Sequence, residues 1–150
     1  IDGLTLSAHY NKVNDFADGV ETEDQLEEGG AYGIKYSAGN ITLGYGKSYQ
    51  APEMLEANRA GTAVEYYEND GFSIGYAVND ELSVSYTRET SEASQSTSSN
   101  TTYDIEMDSV QFAYSLGGAT LSVARADYEN VGYAQNADAT ETIVAMTFAF

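Results

Sequence analysis

The residues of this sequence that could take part in chemistry are its single histidine and its clustered carboxylates. His9 is the only histidine in 150 residues, and cysteine is absent, so no thiolate metal site or disulfide can form. The serines, His9 and the aspartates do not combine into a catalytic set by their spacing. A lone histidine is more often structural or solvent-facing than catalytic, and we therefore expect that the protein is not an enzyme.

The acidic stretch 11–30 is the second candidate for chemistry. It contains seven carboxylates, and their mutual repulsion would be relieved by a divalent cation with oxygen ligands, such as Ca²⁺. The spacing of Asp15 and Asp18 does not match a calcium-binding loop. Two interpretations stay open, a solvated acidic loop and a loop calcium site at Asp15, Asp18 and Glu21. No other cofactor is expected.

The charge balance of the chain excludes several classes of partner. The formal net charge is −18 and the pI is about 4.1. Nucleic-acid phosphates require Lys and Arg, so no nucleic-acid partner is expected, and peripheral binding to an anionic bilayer is disfavoured for the same reason. Strong acidity also accompanies disorder, but 13 tyrosines and five phenylalanines in regular alternation indicate a folded chain.

Alternation of large apolar with small residues predicts β-strands along the whole chain, which we expect to form one domain over residues 1–150. Eight strands are predicted: 3–10, 31–38, 41–49, 62–78, 82–89, 104–116, 119–128 and 139–150. Tight turns are predicted at 39–40, 79–81 and 117–118. Long loops are predicted at 11–30, 50–61, 90–102 and 129–138.

The stretch 62–78 allows two interpretations. Asn69-Asp70-Gly71 has the composition of a tight turn, which would divide the stretch into two short strands. Apolar residues keep one parity across that tripeptide, which one uninterrupted strand explains and a turn does not. A single strand also keeps all tight turns on one side of the sheet, and we therefore predict one strand.

The two parities differ in a way that favours a membrane over a soluble core. One parity carries Leu, Ile, Val, Phe and Tyr, and the other carries Gly, Ala, Ser and Thr. A soluble β-sandwich needs bulky residues on its inner faces, because interiors are close-packed. Large residues facing lipid and small ones facing water predict an all-β fold, a transmembrane antiparallel up-and-down β-barrel.

The last eight residues carry a resemblance to a known class of protein. Val144, Met146, Phe148 and Phe150 share one parity, and the segment resembles the C-terminal strand of Gram-negative outer-membrane proteins. The hairpins 72–86 and 109–123 resemble those of alphaproteobacterial porins of the trimeric, sixteen-stranded type. The resemblance covers residues 30–150 and the C-terminal half of that family, so we expect this chain to be the C-terminal portion of a longer one.

The resemblance implies a function and partners. It implies a homotrimer in the bacterial outer membrane that lets ions and small hydrophilic solutes diffuse passively. It also implies that the outer-membrane assembly machinery recognises Phe148 and Phe150. The constriction loop of the family belongs to its N-terminal half and is not expected here. The acidic balance of this chain predicts a mild preference for cations.

The parity of individual side chains predicts their roles. Inward parity predicts five pore-lining residues: Lys35, Glu65, Tyr67, Gln111 and Glu141. Outward tyrosines near strand ends predict an aromatic girdle: Tyr10, Tyr32, Tyr45, Tyr49, Tyr86 and Tyr114, with Phe150. Lys47 and Arg88 are predicted outward near loops. Arg125 shares the lipid parity of Val123, and two explanations stay open, a β-bulge that turns it inward or a subunit interface.

Other functions remain as alternatives. Eight strands suffice for a complete small outer-membrane barrel that acts as an anchor or adhesin, although small inward residues would leave its interior void. A lipid-modifying barrel enzyme would need a carboxylate beside His9, and none can be assigned. A secreted soluble β-sandwich is the fourth alternative.

Overall fold

The structure, a computed structural model, describes residues 1–13, 23–55, 63–95 and 102–148. Within these ranges the chain is almost entirely β-strand, as its alternating β-branched and aromatic residues favour. Within the same ranges, no helix is long and apolar enough to cross a membrane. The strands are β1 (Leu4–Lys12), β2 (Glu23–Gln25), β3 (Glu28–Ala38), β4 (Ile41–Ala51), β5 (Met54–Leu55), β6 (Val64–Ala77), β7 (Leu82–Gln95), β8 (Ile105–Ser115), β9 (Ala119–Glu129) and β10 (Ala139–Phe148).

Eight of these strands form one sheet in the order β1-β3-β4-β6-β7-β8-β9-β10. Every neighbouring pair is antiparallel, so each strand returns beside the one before it. The predicted all-β, up-and-down arrangement of eight strands is therefore confirmed. The remaining strands, β2 and β5, pair with each other in a separate two-stranded sheet, inside segments that the sequence predicts as loops.

The three predicted tight turns connect the strands at one end of the sheet. Gly39 and Gly117 have φ values of 57° and 62°, in the left-handed region that glycine adopts without a steric penalty. At the middle turn the Asn79 side chain accepts hydrogen bonds from the backbone N–H groups of Glu81 and Leu82, at 2.9 and 2.8 Å. The middle turn is thus stabilised by an asparagine side chain, whereas the other two turns use a glycine with positive φ.

Strand β6 confirms the prediction of one uninterrupted strand. Asn69, Asp70 and Gly71 pair in register with β4 on one side and β7 on the other, without a turn. Strand β7 differs from its prediction, because it continues from residue 89 to Gln95. The long partner β6 supplies backbone hydrogen-bond groups to these six additional residues, and their Ser, Thr and Glu side chains gave no alternating apolar signal.

The sheet has two free edges. Among the residues that the structure describes, β1 pairs only with β3 and β10 only with β9. A complete eight-stranded barrel would require β1 to pair with β10, and the described strands do not close in this way.

The sheet has almost no packed interior. The only buried apolar residues in the described ranges are three alanines, Ala51, Ala93 and Ala126. No second large sheet or helix covers either face of the eight strands in those ranges. A soluble domain of this size buries a continuous cluster of large side chains, and the described part of this chain has none.

Candidate functional site

The cross-strand register assigns each strand residue to one of two faces. Residues directly opposite each other share a face, as Leu6, Ile34, Tyr45 and Phe72 do along one row. We call the face of this row the apolar face and the opposite one the small-residue face. Apart from Val64, which lies at the register shift in β6, the paired residues that the sequence predicts on the apolar parity all lie on the apolar face.

The apolar face carries a continuous band of large side chains next to the tight turns, which we call the apolar belt. Phe72, Ile74, Phe112 and Val144 are 47%, 42%, 51% and 66% exposed, so they do not cluster in a dry interior. The belt consists of Leu4, Leu6, Ile34, Tyr36, Ile41, Leu43, Tyr45, Phe72, Ile74, Tyr76, Leu82, Val84, Tyr86, Val110, Phe112, Tyr114, Leu121, Val123, Val144, Met146 and Phe148.

The same face becomes charged towards the long loops. This charged belt consists of Lys12, Glu28, Lys47, Glu68, Asp70, Arg88, Glu92, Glu106, Asp108, Arg125, Asp127 and Glu129. Each basic residue in it has an acidic partner. Lys12 lies 3.3 Å from Glu28, and Lys47 pairs with Glu68. Arg88 pairs with Glu106 and lies 3.5 Å from Asp108, which also accepts a hydrogen bond from the Tyr86 hydroxyl.

The boundary between the two belts crosses the cross-strand register diagonally. The first charged position beyond the belt is Lys12 on β1 and Arg125 on β9. The level of Lys12 can be followed from β1 to β9 through the paired residues of six pairs of neighbouring strands. On β9, Arg125 lies about eight residues closer to the tight turns than this level. With ~3.4 Å per residue and ~4.8 Å between strands, a level boundary requires a strand tilt of about 43°.

The tight turns drift in the same direction. The hairpin end at Val78 and Leu82 lies two residues further along the register than the end at Ala38 and Ile41, and the end at Leu116 lies two further again. Two residues per two strands correspond to a tilt of about 35°. Both edges of the apolar belt therefore agree with the tilt of roughly 35–45° that β-barrels have.

Arg125 lies at this diagonal boundary. Its register with Val110 and Thr142 is regular, so the predicted alternative of a β-bulge after Val123 is wrong. Its guanidinium donates to both carboxylate oxygens of Asp127, at 3.1 and 3.2 Å. A subunit interface that shelters Arg125 stays a prediction.

The Asp127 carboxylate joins β9 to β10. It accepts a hydrogen bond of 2.7 Å from the Thr140 hydroxyl in addition to those from Arg125. The bonds from Arg125, and then the bond from Thr140, lower the pKa of Asp127. The same pairing raises the pKa of Arg125, so both charges persist in this part of the charged belt.

The small-residue face holds a groove with a floor of glycine. Gly33, Gly46 and Gly71 lie directly opposite one another on three adjacent strands, so no side chain rises from these positions. The groove has a volume of about 570 Å³. Its polar lining includes Ser7, Lys35, Ser73, Asn69 and Glu89. A Cβ on Gly71 would lie 2.8 Å from Glu89 Cγ, which shows that the glutamate side chain lies over the glycine.

Four of the five residues that the sequence assigns to a pore lie on the small-residue face. Lys35 is opposite Thr5 and Gly44, Tyr67 is opposite Ala93, Gln111 is opposite Ser85, and Glu141 is opposite Ala126. They are distributed over four strands and form no single cluster.

The fifth residue, Glu65, lies at the register shift between Val64 and Tyr66. Its backbone oxygen accepts a hydrogen bond of 2.8 Å from the Gln25 side chain. Because of this register shift, parity does not assign Glu65 to either face. The irregularity at the end of a long strand has no signal in the apolar periodicity, which is weak there.

The remaining predicted residues divide between the apolar face and the undescribed segments. The six predicted girdle tyrosines, Lys47 and Arg88 all lie on the apolar face. Phe148 lies on that face in β10, opposite Ala119. The predicted calcium ligands Asp15, Asp18 and Glu21, and the terminal Phe150, lie outside the described residues. Within the described part, no group of three or more histidine or acidic residues is arranged to hold a metal ion.

Sequence reasoning did not assign a role to Tyr133, which lies in the predicted loop 129–138. Its ring centroid is 5.9 Å from that of Tyr67, and its hydroxyl lies 2.8 Å from Ser91 Oγ. The only local signals were Asn130 and Gly132, residue types that tolerate the left-handed region. These residues indicate a compact turn and not its direction.

Comparisons of the chain with known protein families, with curated proteins and with solved structures found no match.

Proposed function

We propose that this chain forms part of the wall of a water-filled β-barrel in the bacterial outer membrane, through which ions and small hydrophilic solutes diffuse passively. The observation that carries the proposal is the apolar belt. Its residues are exposed or half-exposed, and it is continuous across the sheet and bounded on its loop side by charge. Its diagonal course becomes level at the strand tilt of a barrel.

The belt has a sharp boundary on its loop side. On β6 the belt and its extension run from Phe72 to Val78, which is about 20 Å along the strand at ~3.4 Å per residue, or about 15 Å of depth at a tilt of roughly 40°. Charged side chains on the same face begin directly above it, at Asp70. The adjacent tyrosines would lie at the boundary between hydrocarbon and water, where amphipathic rings are favoured.

Transport requires no bond to be broken, and no cofactor is part of the proposal. The small-residue face would border the aqueous passage, and the width of that passage would exclude large solutes. In register on that face, Glu89 and Glu141 outnumber the single Lys35 among the strand residues with full charge. A wall with this balance biases diffusion towards cations.

Assembly and subunit number rest on the resemblance in the sequence. We propose a homotrimer in outer-membrane lipid, with Phe148 and Phe150 as the signal for the assembly machinery. The free edges of β1 and β10 need partners, because unpaired backbone groups are not tolerated in hydrocarbon. Further strands of a larger barrel would satisfy them.

The alternative is a complete eight-stranded barrel that acts as an anchor or adhesin. The number of strands favours it, whereas the glycine row and the small side chains would leave such a narrow interior unfilled. Reconstitution of the full-length protein in a planar bilayer separates the two. Stepwise conductance with a cation-selective reversal potential supports the porin. Folded, heat-modifiable protein in a silent membrane supports the anchor and contradicts the porin.

A further inference from the structure

The β9–β10 loop, residues 130–138, has an unusual backbone. Asn130, Tyr133 and Asn136 are the only residues other than glycine with positive φ in the described part of the chain, at 55°, 60° and 59°. Gly132 has a φ of 70°. Asparagine tolerates this region, but tyrosine rarely adopts it, so contacts of Tyr133 must offset the cost.

Hydrogen bonds within the loop make it a compact unit. The backbone N–H of Val131 donates to Ala137 O at 2.7 Å, and that of Asn136 donates to the Asn130 side chain at 3.1 Å. The N–H of Asn130 itself donates to an Asp138 carboxylate oxygen at 3.4 Å. The loop, which contains Tyr133, is thus fixed in shape by hydrogen bonds among its own residues.

The loop folds across the small-residue face. The Asn130 side chain donates to Asp104 O at 3.1 Å, just before β8. Tyr133 then reaches beyond β8 to Ser91 on β7 and Tyr67 on β6. Ser91 and Tyr67 both belong to the small-residue face, so the ring lies over the same surface that holds the groove.

We propose that Tyr133 is a selectivity-determining residue that holds the β9–β10 loop across the inner wall and narrows the passage at its loop end. This inference rests on the proposed function, because it needs an aqueous passage beside the small-residue face. The Tyr67 ring and the Ser91 hydroxyl form the receiving site on the wall. Hydrophilic solutes near the size limit would be affected most, since a constriction discriminates by size.

The neighbouring tyrosines Tyr66 and Tyr67 give a matched pair of variants. Tyr67 contacts Tyr133, whereas Tyr66 stacks on Tyr49 of the apolar face, with centroids 5.6 Å apart. The full-length protein is reconstituted for single-channel recording and for liposome swelling with neutral sugars of increasing size. Tyr133→Ala and Tyr67→Ala should raise permeation of the largest admitted sugars on the order of twofold, and Tyr66→Ala should not. The permeation of the smallest sugars should change less.

Ser91→Ala is the mildest variant and covers the case in which an alanine at position 133 or 67 prevents folding. It removes only the hydroxyl that bonds to Tyr133 and should raise large-sugar permeation by a smaller factor. Channels that form but behave identically in all variants would overturn the proposal and leave the proposed function standing. An equal increase in Tyr66→Ala and Tyr67→Ala would also overturn it. A wild-type protein without channels would contradict the proposed function itself.

Discussion

The two faces of the same strands differ more than any two segments of the chain. Along β6, Phe72, Ile74 and Tyr76 alternate with Ser73 and Gly75, one residue apart in sequence. No second large sheet or helix covers either face in the described residues, so packing against such a layer does not explain the difference. The proposed function would explain it by different solvents on the two sides, since hydrocarbon favours large apolar groups and water favours small polar ones.

The largest effect should come from placing a charge on the two faces in turn. Ile74→Arg puts a guanidinium inside the apolar belt, which costs roughly 2–4 kcal/mol of folding free energy in a bilayer. Ser73→Arg, its neighbour on the small-residue face, should be tolerated. Urea titration of protein folded into lipid vesicles measures both. Equal destabilisation by the two substitutions would contradict the assignment of faces.

A smaller effect should distinguish two glycines of one cross-strand row. A Cβ at Gly71 would lie 3.1 Å from the carbonyl oxygen of Arg88 and 2.8 Å from Glu89 Cγ, whereas at Gly46 the nearest atom is 3.6 Å away. Gly71→Ala should therefore destabilise the protein by roughly 1–3 kcal/mol through overpacking. Gly46→Ala should be close to neutral in the same titration. The reverse order would show that the groove floor is not packed as described.

Ion selectivity should also distinguish the two faces of the sheet, because only the small-residue face would border the passage. Glu89→Gln removes a carboxylate from the small-residue face and should shift the reversal potential in a salt gradient towards zero. Glu106→Gln removes one from the charged belt and should leave the reversal potential unchanged. A shift with Glu106→Gln alone would place the passage on the wrong side of the sheet.

The smallest effect concerns acid stability of the charged belt. The pKa of Asp127 is lowered by Arg125 and Thr140, so its stabilising contribution is present above its ordinary pKa of 3.8. That contribution is lost as the pH falls through the lowered pKa. Between pH 5 and strong acid, wild type should thus lose slightly more stability than Asp127→Asn. Parallel pH profiles of the two proteins would contradict this role of Asp127.

Alternation of large apolar and small residues predicted the strands well, because within each segment it shows which residues share a face. Parity across Asn69-Asp70-Gly71 identified β6 as one strand against a strong local turn signal. The extension of β7 to Gln95 escaped prediction, because Ser91 and Glu92 are in a strand through pairing with β6 and, for Ser91, also with β8. The composition of residues 90–95 gives no information about the strands that pair with them.

Arg125 and Tyr133 show what parity alone omits. Parity put Arg125 beside Val123 at the same apparent depth, which suggested a bulge. The pairing register shows instead that the boundary of the apolar belt lies closer to the tight turns on β9 than on the earlier strands. The position of Tyr133 depends on contacts with Ser91 and Tyr67, which lie 42 and 66 residues earlier in the chain. The sequence of a loop carries no information about such distant contacts.

The central claim is that Phe112 faces hydrocarbon and its neighbour Ala113 faces water. Because the chain contains no cysteine, Phe112→Cys and Ala113→Cys each give one unique site for a spin label. In vesicles, collisions with oxygen, which concentrates in lipid, and with a water-soluble nickel complex report the surroundings of each label. The account predicts oxygen access at position 112 and nickel access at position 113, with the alternation continuing over residues 110–115. Similar access at both positions, or the opposite alternation, would contradict it.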